Sequence, residues 1–230
     1  MTPNQDIPSD QDTLSNQVAE LIQWVRSGEE AIIQRALISA KDLGNPPAFQ
    51  KYLSGLIALY QLAFKSTPKK LDAAALNKLF QLTELTIANS DLTVLPESLG
   101  ELHHLQRLFC RFSSLRSLPE SIGQLHQLKK LYCIDNQLQT FPESIGQLKN
   151  LQLLDCSNNQ LETLPQSLGQ LRQLKYLHCS DNQLRALEAV LKLAGAKKEV
   201  PKVDKFVVPS NRPIHDEYCS KEGKTKEISK

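Results

Sequence analysis

The sequence predicts an α/β chain: a solenoid of stacked coils with parallel strands on a concave face and short helical or 3-10 segments on a convex face. An α-helical cap is predicted at its N-terminal end. Three observations carry this reading. Leu92, Leu115, Leu138, Leu161 and Leu184 stand 23 residues apart at every step. Two further columns keep the same step, Pro96, Pro119, Pro142 and Pro165, and Gly100, Gly123, Gly146 and Gly169. Before residue 68 the rhythm changes to the i, i+3, i+4, i+7 pattern of amphipathic helices. A fixed period decides the architecture before any single element does.

One coil shows the logic. Leu131 and Cys133 flank Tyr132 in the two-residue alternation of a short strand. Leu128, Leu138, Phe141, Ile145 and Leu148 supply further inward side chains. Pro142 fixes φ and suits a turn or the first position of a helical turn. Gly146 lets backbone pass where a side chain would crowd. One coil cannot bury these seven apolar groups alone. Stacked coils can, each adding a strand to a parallel sheet.

The phrases LPESIGQLHQLKKLYCIDNQL, FPESIGQLKNLQLLDCSNNQL and LPQSLGQLRQLKYLHCSDNQL resemble the leucine-rich repeats of intracellular Ras-suppressor and Scribble-type proteins. Similar repeats occur in bacterial leucine-rich-repeat proteins and in the repeat portion of Roco proteins. The resemblance covers roughly residues 69–190. It implies a curved solenoid with its strands on the inner face and protein–protein binding as its activity. Regulation of small GTPase or kinase signalling is the alternative that the resemblance implies.

The ends follow from where the pattern fails. Leu76, Leu79, Leu82, Leu85 and Ile87 are in register with the first clear coil, but Ala73 and Asn77 fill the proline and glycine slots, as befits a capping repeat. At the far end Glu188 and Lys192 fill those slots, and Leu184–Gly195 reads as a closing helix. Upstream, Val18, Leu21, Ile22 and Val25 mark a first helix. Ser27-Gly-Glu-Glu30 has the form of a capping box opening a second, which carries Ile33, Ala36, Leu37 and Ala40 and stops near Gly44-Asn45-Pro46. A third, after Pro46-Pro47, presents Phe49, Tyr52, Leu53, Leu56, Ile57, Tyr60 and Phe64. The organisation expected is a disordered start over 1–13, a helical cap over 14–68, the solenoid with its closing helix over 69–195, and a mostly disordered tail over 196–230. Within that tail Phe206-Val207-Val208 is the apolar patch.

Composition narrows the function. The 230 residues carry a net charge of +2, 40% hydrophobic and 23% charged residues, as a soluble folded protein does. There is no apolar run of membrane-spanning length. The polar, acidic start MTPNQDIPSDQD does not read as a secretory signal, so a cytoplasmic setting is expected. Basic residues are scattered rather than gathered on one surface, which speaks against nucleic acid as a partner. A monomer is expected.

Residues able to do chemistry read as packing. Cys110, Cys133, Cys156 and Cys179 form a column whose sulfurs would lie in a row at about 4.8 Å steps, not at the corners of a tetrahedron. The earlier coil has Ile87 there, so the slot is a hydrophobic one, and reduced thiols fit the cytoplasm. Cys219 lies in the tail. Asn136, Asn159 and Asn182, with Ser90 and Ser113 before them, suit backbone hydrogen bonds in their own coil and the next. His103 and His126 fall on the convex side without further ligands, and His104 and His215 add none. No catalytic set, cofactor motif or metal cluster is assembled, so an enzyme is not expected.

Function is expected on the concave face, where strand residues alternate with buried ones. The candidates are Arg107, Phe109, Arg111 and Phe112, then Lys130, Tyr132, Ile134 and Asp135, then Leu153 and Asp155, then Tyr176 and His178. Phe109, Phe112, Tyr132, Ile134 and Tyr176 are expected to be exposed there among charges. Positive groups gather toward the earlier strands, and Asp135, Asp155 and Asp181 toward the later ones. Five strands span only about 19 Å. That surface suits one protein ligand, at about 800 Å² per partner.

Overall fold

A computed structural model of the protein describes residues 10–67, 71–88, 91–184 and 202–203. Four α-helices open it: α1 (Asp10–Arg26), α2 (Glu30–Asp42), α3 (Pro47–Phe64) and α4 (Ala73–Phe80). Strands β1 (Glu84–Ala88), β2 (Arg107–Arg111), β3 (Lys130–Tyr132), β4 (Leu153–Asp155), β5 (Tyr176–His178) and β6 (Lys202–Val203) follow. They form one parallel sheet in sequence order. Between β1 and β5 each coil returns through a five-residue 3-10 turn: Glu97–Glu101, Glu120–Gln124, Glu143–Gln147 and Gln166–Gln170. This is the solenoid that the sequence predicts.

Register follows the 23-residue step. Leu85, Leu108, Leu131, Leu154 and Leu177 align strand to strand and are all buried. Pro96, Pro119, Pro142 and Pro165 stand at the N-cap of the 3-10 turns, with φ from −64° to −68°. Proline's ring presets that entry, one residue earlier than the first helical position expected. The glycine column has a plain cause. A Cβ on Gly123 would sit 2.6 Å from the Ser144 carbonyl oxygen, and one on Gly146 2.6 Å from that of Ser167. Successive turns therefore touch backbone to backbone.

The asparagine column does bond backbone, but backward rather than forward. Asn159 Nδ2 donates to the Cys133 carbonyl at 2.7 Å, and its Oδ1 accepts from the Leu138 amide at 2.9 Å. Asn136 repeats this with Cys110 and Leu115, and Asn182 with Cys156 and Leu161. Each amide joins its own coil to the preceding one.

The helices and the solenoid share one core, continuous from Val18 to Cys179. Where Ala73 and Asn77 replace proline and glycine, the convex segment becomes a two-turn α-helix, capped by Asp72 Oδ1 on the Ala75 amide at 2.9 Å. The Ser27 capping box does not form. α2 starts from Glu29, while the Ser27 hydroxyl donates to the Trp24 carbonyl at 2.8 Å and so finishes α1 instead. α1 begins at Asp10, inside the segment 1–13 expected to lack structure. Pro68, Ser90, His215, Cys219, Phe206–Val208 and the closing helix beyond Leu184 lie outside the described residues. Of the tail 196–230, Lys202–Val203 is described, hydrogen-bonded as β6 to β5.

Candidate functional site

The row pointing away from the core comprises Glu84, Thr86 and Ala88 on β1, Arg107, Phe109 and Arg111 on β2, Lys130 and Tyr132 on β3, Leu153 and Asp155 on β4, and Tyr176 and His178 on β5, while the candidates Phe112, Ile134 and Asp135 follow β2 and β3 in the chain. The structure divides those candidates. Phe112 and Tyr176 are exposed, at 60% and 46%. Phe109, Tyr132 and Ile134 are not: they keep 5%, 8% and 7% of their surface and form a small cluster of their own, with Leu153 packed against it. The expectation that all five are exposed is corrected here. Strand alternation gives the face of the sheet, but it does not tell how densely neighbours on that face pack.

The centre of the cluster is a stack. The Phe109 and Tyr132 rings lie 4.8 Å apart and within 6° of parallel. Parallel pairing places residue over residue on adjacent strands, so these two rings meet because Phe109 and Tyr132 are register partners. The Arg111 guanidinium sits 5.5 Å from the Phe109 ring centre and 5.2 Å from that of Tyr132. Such contacts are worth about 0.5–1 kcal/mol each when exposed and more as water leaves. The buried Nε of Arg111 has no hydrogen-bond partner among the described residues.

Other candidates stand around this centre rather than in it. Arg107 pairs with Glu84 at 2.5 Å, its cross-strand neighbour. Lys130, the cross-strand neighbour of Arg107, is half-buried. Asp155 Oδ1 accepts from the Ser157 amide at 3.1 Å and its hydroxyl at 2.8 Å, and Asp135 accepts from the Asn158 side-chain amide. Tyr176 and His178 form a separate pair, rings 6.5 Å apart. The result is an apolar, Arg-capped centre with a basic flank on β2 and an acidic flank toward β5.

Phe112 is the strained member. It has φ +50°, and its counterparts in the next three coils have φ +57° (Asp135), +56° (Asn158) and +53° (Asp181). Asp and Asn visit the left-handed region at small cost, but a bulky side chain there is an outlier. One coil thus keeps an exposed phenylalanine where its neighbours use the residues that the backbone favours.

Sequence reasoning missed a second polar cluster. Arg26 Nε donates to Glu101 Oε2 at 2.8 Å and Nη2 to Oε1 at 2.6 Å, while the Tyr52 hydroxyl approaches Glu101 at 3.4 Å. Arg26 also lies 5.9 Å from the Tyr52 ring centre. Glu101 is buried at 7% exposure. A signal was present: the same slot holds Gln124, Gln147 and Gln170 in the later coils, so the lone carboxylate stood out. Burial, with the Glu101 carboxylate adding to it, pushes the Tyr52 phenol well above its ordinary value. The hydrogen bond to Glu101 raises Arg26 further.

The cysteine column is buried. The adjacent Cys110 thiol and burial push the Cys133 thiol well up, burial does the same for Cys156, and burial raises Cys179. Such thiols are poor nucleophiles. Among the described residues no three His, Cys, Asp or Glu side chains converge as a metal site, and no helix is long and apolar enough to cross a membrane.

A family model described as leucine-rich repeats in two copies matches residues 126–169 and again residues 149–192. With coils, register and convex turns as found, the chain carries leucine-rich repeats and has the leucine-rich-repeat solenoid fold. The match is to the repeat as such and does not separate a Ras-suppressor or Scribble subtype from others. No curated protein matches. Among solved structures, a leucine-rich-repeat protein of Leptospira interrogans is similar, with 39% identity and a TM-score of 0.49 over 50% of this chain. This chain covers 30% of that one. Leucine-rich repeats are in general protein-interaction modules, and this family points away from catalysis.

Proposed function

We propose that the chain is an intracellular interaction module or adaptor that holds a protein partner on the concave face, across β2 to β5. Phe112 carries this reading. An exposed phenylalanine in a strained conformation persists where aspartate or asparagine would cost less, beside an aromatic stack capped by Arg111. Strain retained at an exposed apolar residue is a mark of function. Aromatic and Arg side chains are also those that dominate binding energy at interfaces. The basic flank on β2 and the acidic flank toward β5 would orient a partner carrying the opposite gradient, with an on-rate that falls as salt rises.

The test is affinity enrichment from native lysate with wild type beside Phe112→Asn and Tyr176→Ala. Both side chains are exposed, so folding is retained, and loss of one shared band or set of peptides in both variants is the expected result. Equal enrichment by all three chains would remove the concave face from consideration. Regulation of a small GTPase or kinase pathway is a narrower form of the same reading, and enrichment of such a protein in the wild-type sample alone would support it.

A further inference from the structure

Phe109, Tyr132 and Ile134 project from a sheet one layer deep, yet keep 8% or less of their surface. The outer face of such a sheet is open on one side unless something lies on it. Thr86, the register neighbour of Phe109 on β1, stays exposed, as does Tyr176, the neighbour of Leu153 on β5, at 46%. The described groups packed on the trio, Leu153 and the Arg111 guanidinium, belong to that same face. One apolar cover over β3 and β4 would account for the burial of all three at once.

The chain itself carries such a cover within reach. β6 places Lys202 and Val203 parallel to β5, at the edge of the sheet on the acidic side of the patch. Residues 204–230 follow, and the first apolar run among them is Phe206-Val207-Val208. Extended chain advances at most about 3.5 Å per residue, so Phe206 reaches about 10 Å from Val203 and Val208 about 17 Å. Counted from β6, β4 lies about 10 Å away and β3 about 14 Å. In extended chain Phe206 and Val208 share one face, so these two side chains can lie over Leu153 and then Tyr132 and Ile134.

We propose that Phe206–Val208 docks on the Phe109–Tyr132–Ile134 patch as an intramolecular ligand. The chain's own C-terminal segment then occupies the face offered to a partner. A tethered segment acts at high effective concentration, so a partner must displace it and its apparent affinity falls by the fraction of chains left open. This consequence for partner binding rests on the concave-face reading above, whereas the docking itself does not.

The experiment uses the full chain with a nitroxide on Ser210→Cys in a Cys219→Ser background, since the four column thiols are buried. Methyl NMR then reads Ile134 and Leu153, with Ile33 in α2 as a distant control. The expected result is that Ile134 and Leu153 lose most of their intensity, that Ile33 does not, and that F206S/V207S/V208S restores them. Unchanged Ile134 and Leu153 signals, or broadening that survives the triple substitution, would overturn the proposal. So would broadening transferred from nitroxide-labelled to isotope-labelled copies in a mixed sample, because the occupant would then be a second chain. Docking without any partner capture would remove the proposed function alone. Capture lost in Phe112→Asn without docking would remove only this inference.

Discussion

The Arg26 guanidinium grips the Glu101 carboxylate through two hydrogen bonds, 2.8 Å and 2.6 Å long, across 75 residues of sequence. It fastens the last turn of α1 to the first 3-10 turn, with the hydroxyl of Tyr52 on α3 close by. The helical cap is thereby tied to the solenoid by polar as well as apolar contact. Glu101→Ala removes the acceptor and leaves Arg26 and Tyr52 without it, at a cost of about 1–3 kcal/mol. Glu101→Gln supplies the residue that the later coils use and should lose under half as much. Urea unfolding measures both. An alanine variant as stable as wild type would show that the ion pair adds nothing to packing.

Tyr52 gives this junction an alkaline limit. An unfolded tyrosine ionises near 10, whereas the folded phenol, buried beside Glu101, ionises higher. A raised folded value means stability that is complete below about pH 10 and lost as pH rises beyond it. The urea midpoint of wild type should therefore drop between pH 9 and roughly 11.5, over the onset set by that ordinary value. Tyr52→Phe should fall less steeply over the same range. Parallel curves for the two proteins would locate the alkaline loss elsewhere.

The convex turns make a sharper demand. A Cβ at position 123 meets the Ser144 carbonyl at 2.6 Å and Gln147 Oε1 at 2.8 Å, and backbone cannot step aside as a side-chain tip can. Gly123→Ala should cost about 1–3 kcal/mol through overpacking. Gly44→Ala is a control of a different kind, since open space surrounds that position and only its φ of +73° resists substitution. Thermal melts of both variants decide whether the glycine column is there for close approach. A silent Gly123→Ala would mean the coils separate easily.

The repeat was legible because proline, glycine, leucine and asparagine each answer one backbone demand, and those demands recur every coil. Pro142 and Gly146 announced a turn whose neighbour is a backbone away, and Asn159 announced buried amides in need of partners. Contacts between distant segments carry no such period. Nothing near Arg26 in the sequence points to Glu101, and only the departure from glutamine at that slot hinted at it. On the concave face the candidate residues were placed on the right side, but their depth was misjudged. Phe109 and Tyr132 lie against each other because the register stacks them, a fact about pairs that single-residue alternation does not hold.

Phe112 separates stability from binding most cleanly. Its backbone is left-handed at φ +50°, a conformation that costs a side-chain-bearing residue about 1–2 kcal/mol. Asn158 occupies the equivalent place at φ +56°, and its short amide tolerates it. Because Phe112 is 60% exposed, replacing it forfeits little buried area. Phe112→Asn should therefore raise stability by up to about 1 kcal/mol through relief of that strain. If the phenylalanine is kept for a partner, the same substitution weakens capture. Chemical denaturation and enrichment on one protein preparation measure both effects. A variant more stable and equally able to bind would leave the strained phenylalanine without a purpose on this face, and one less stable would show that its ring packs more than its exposure implies.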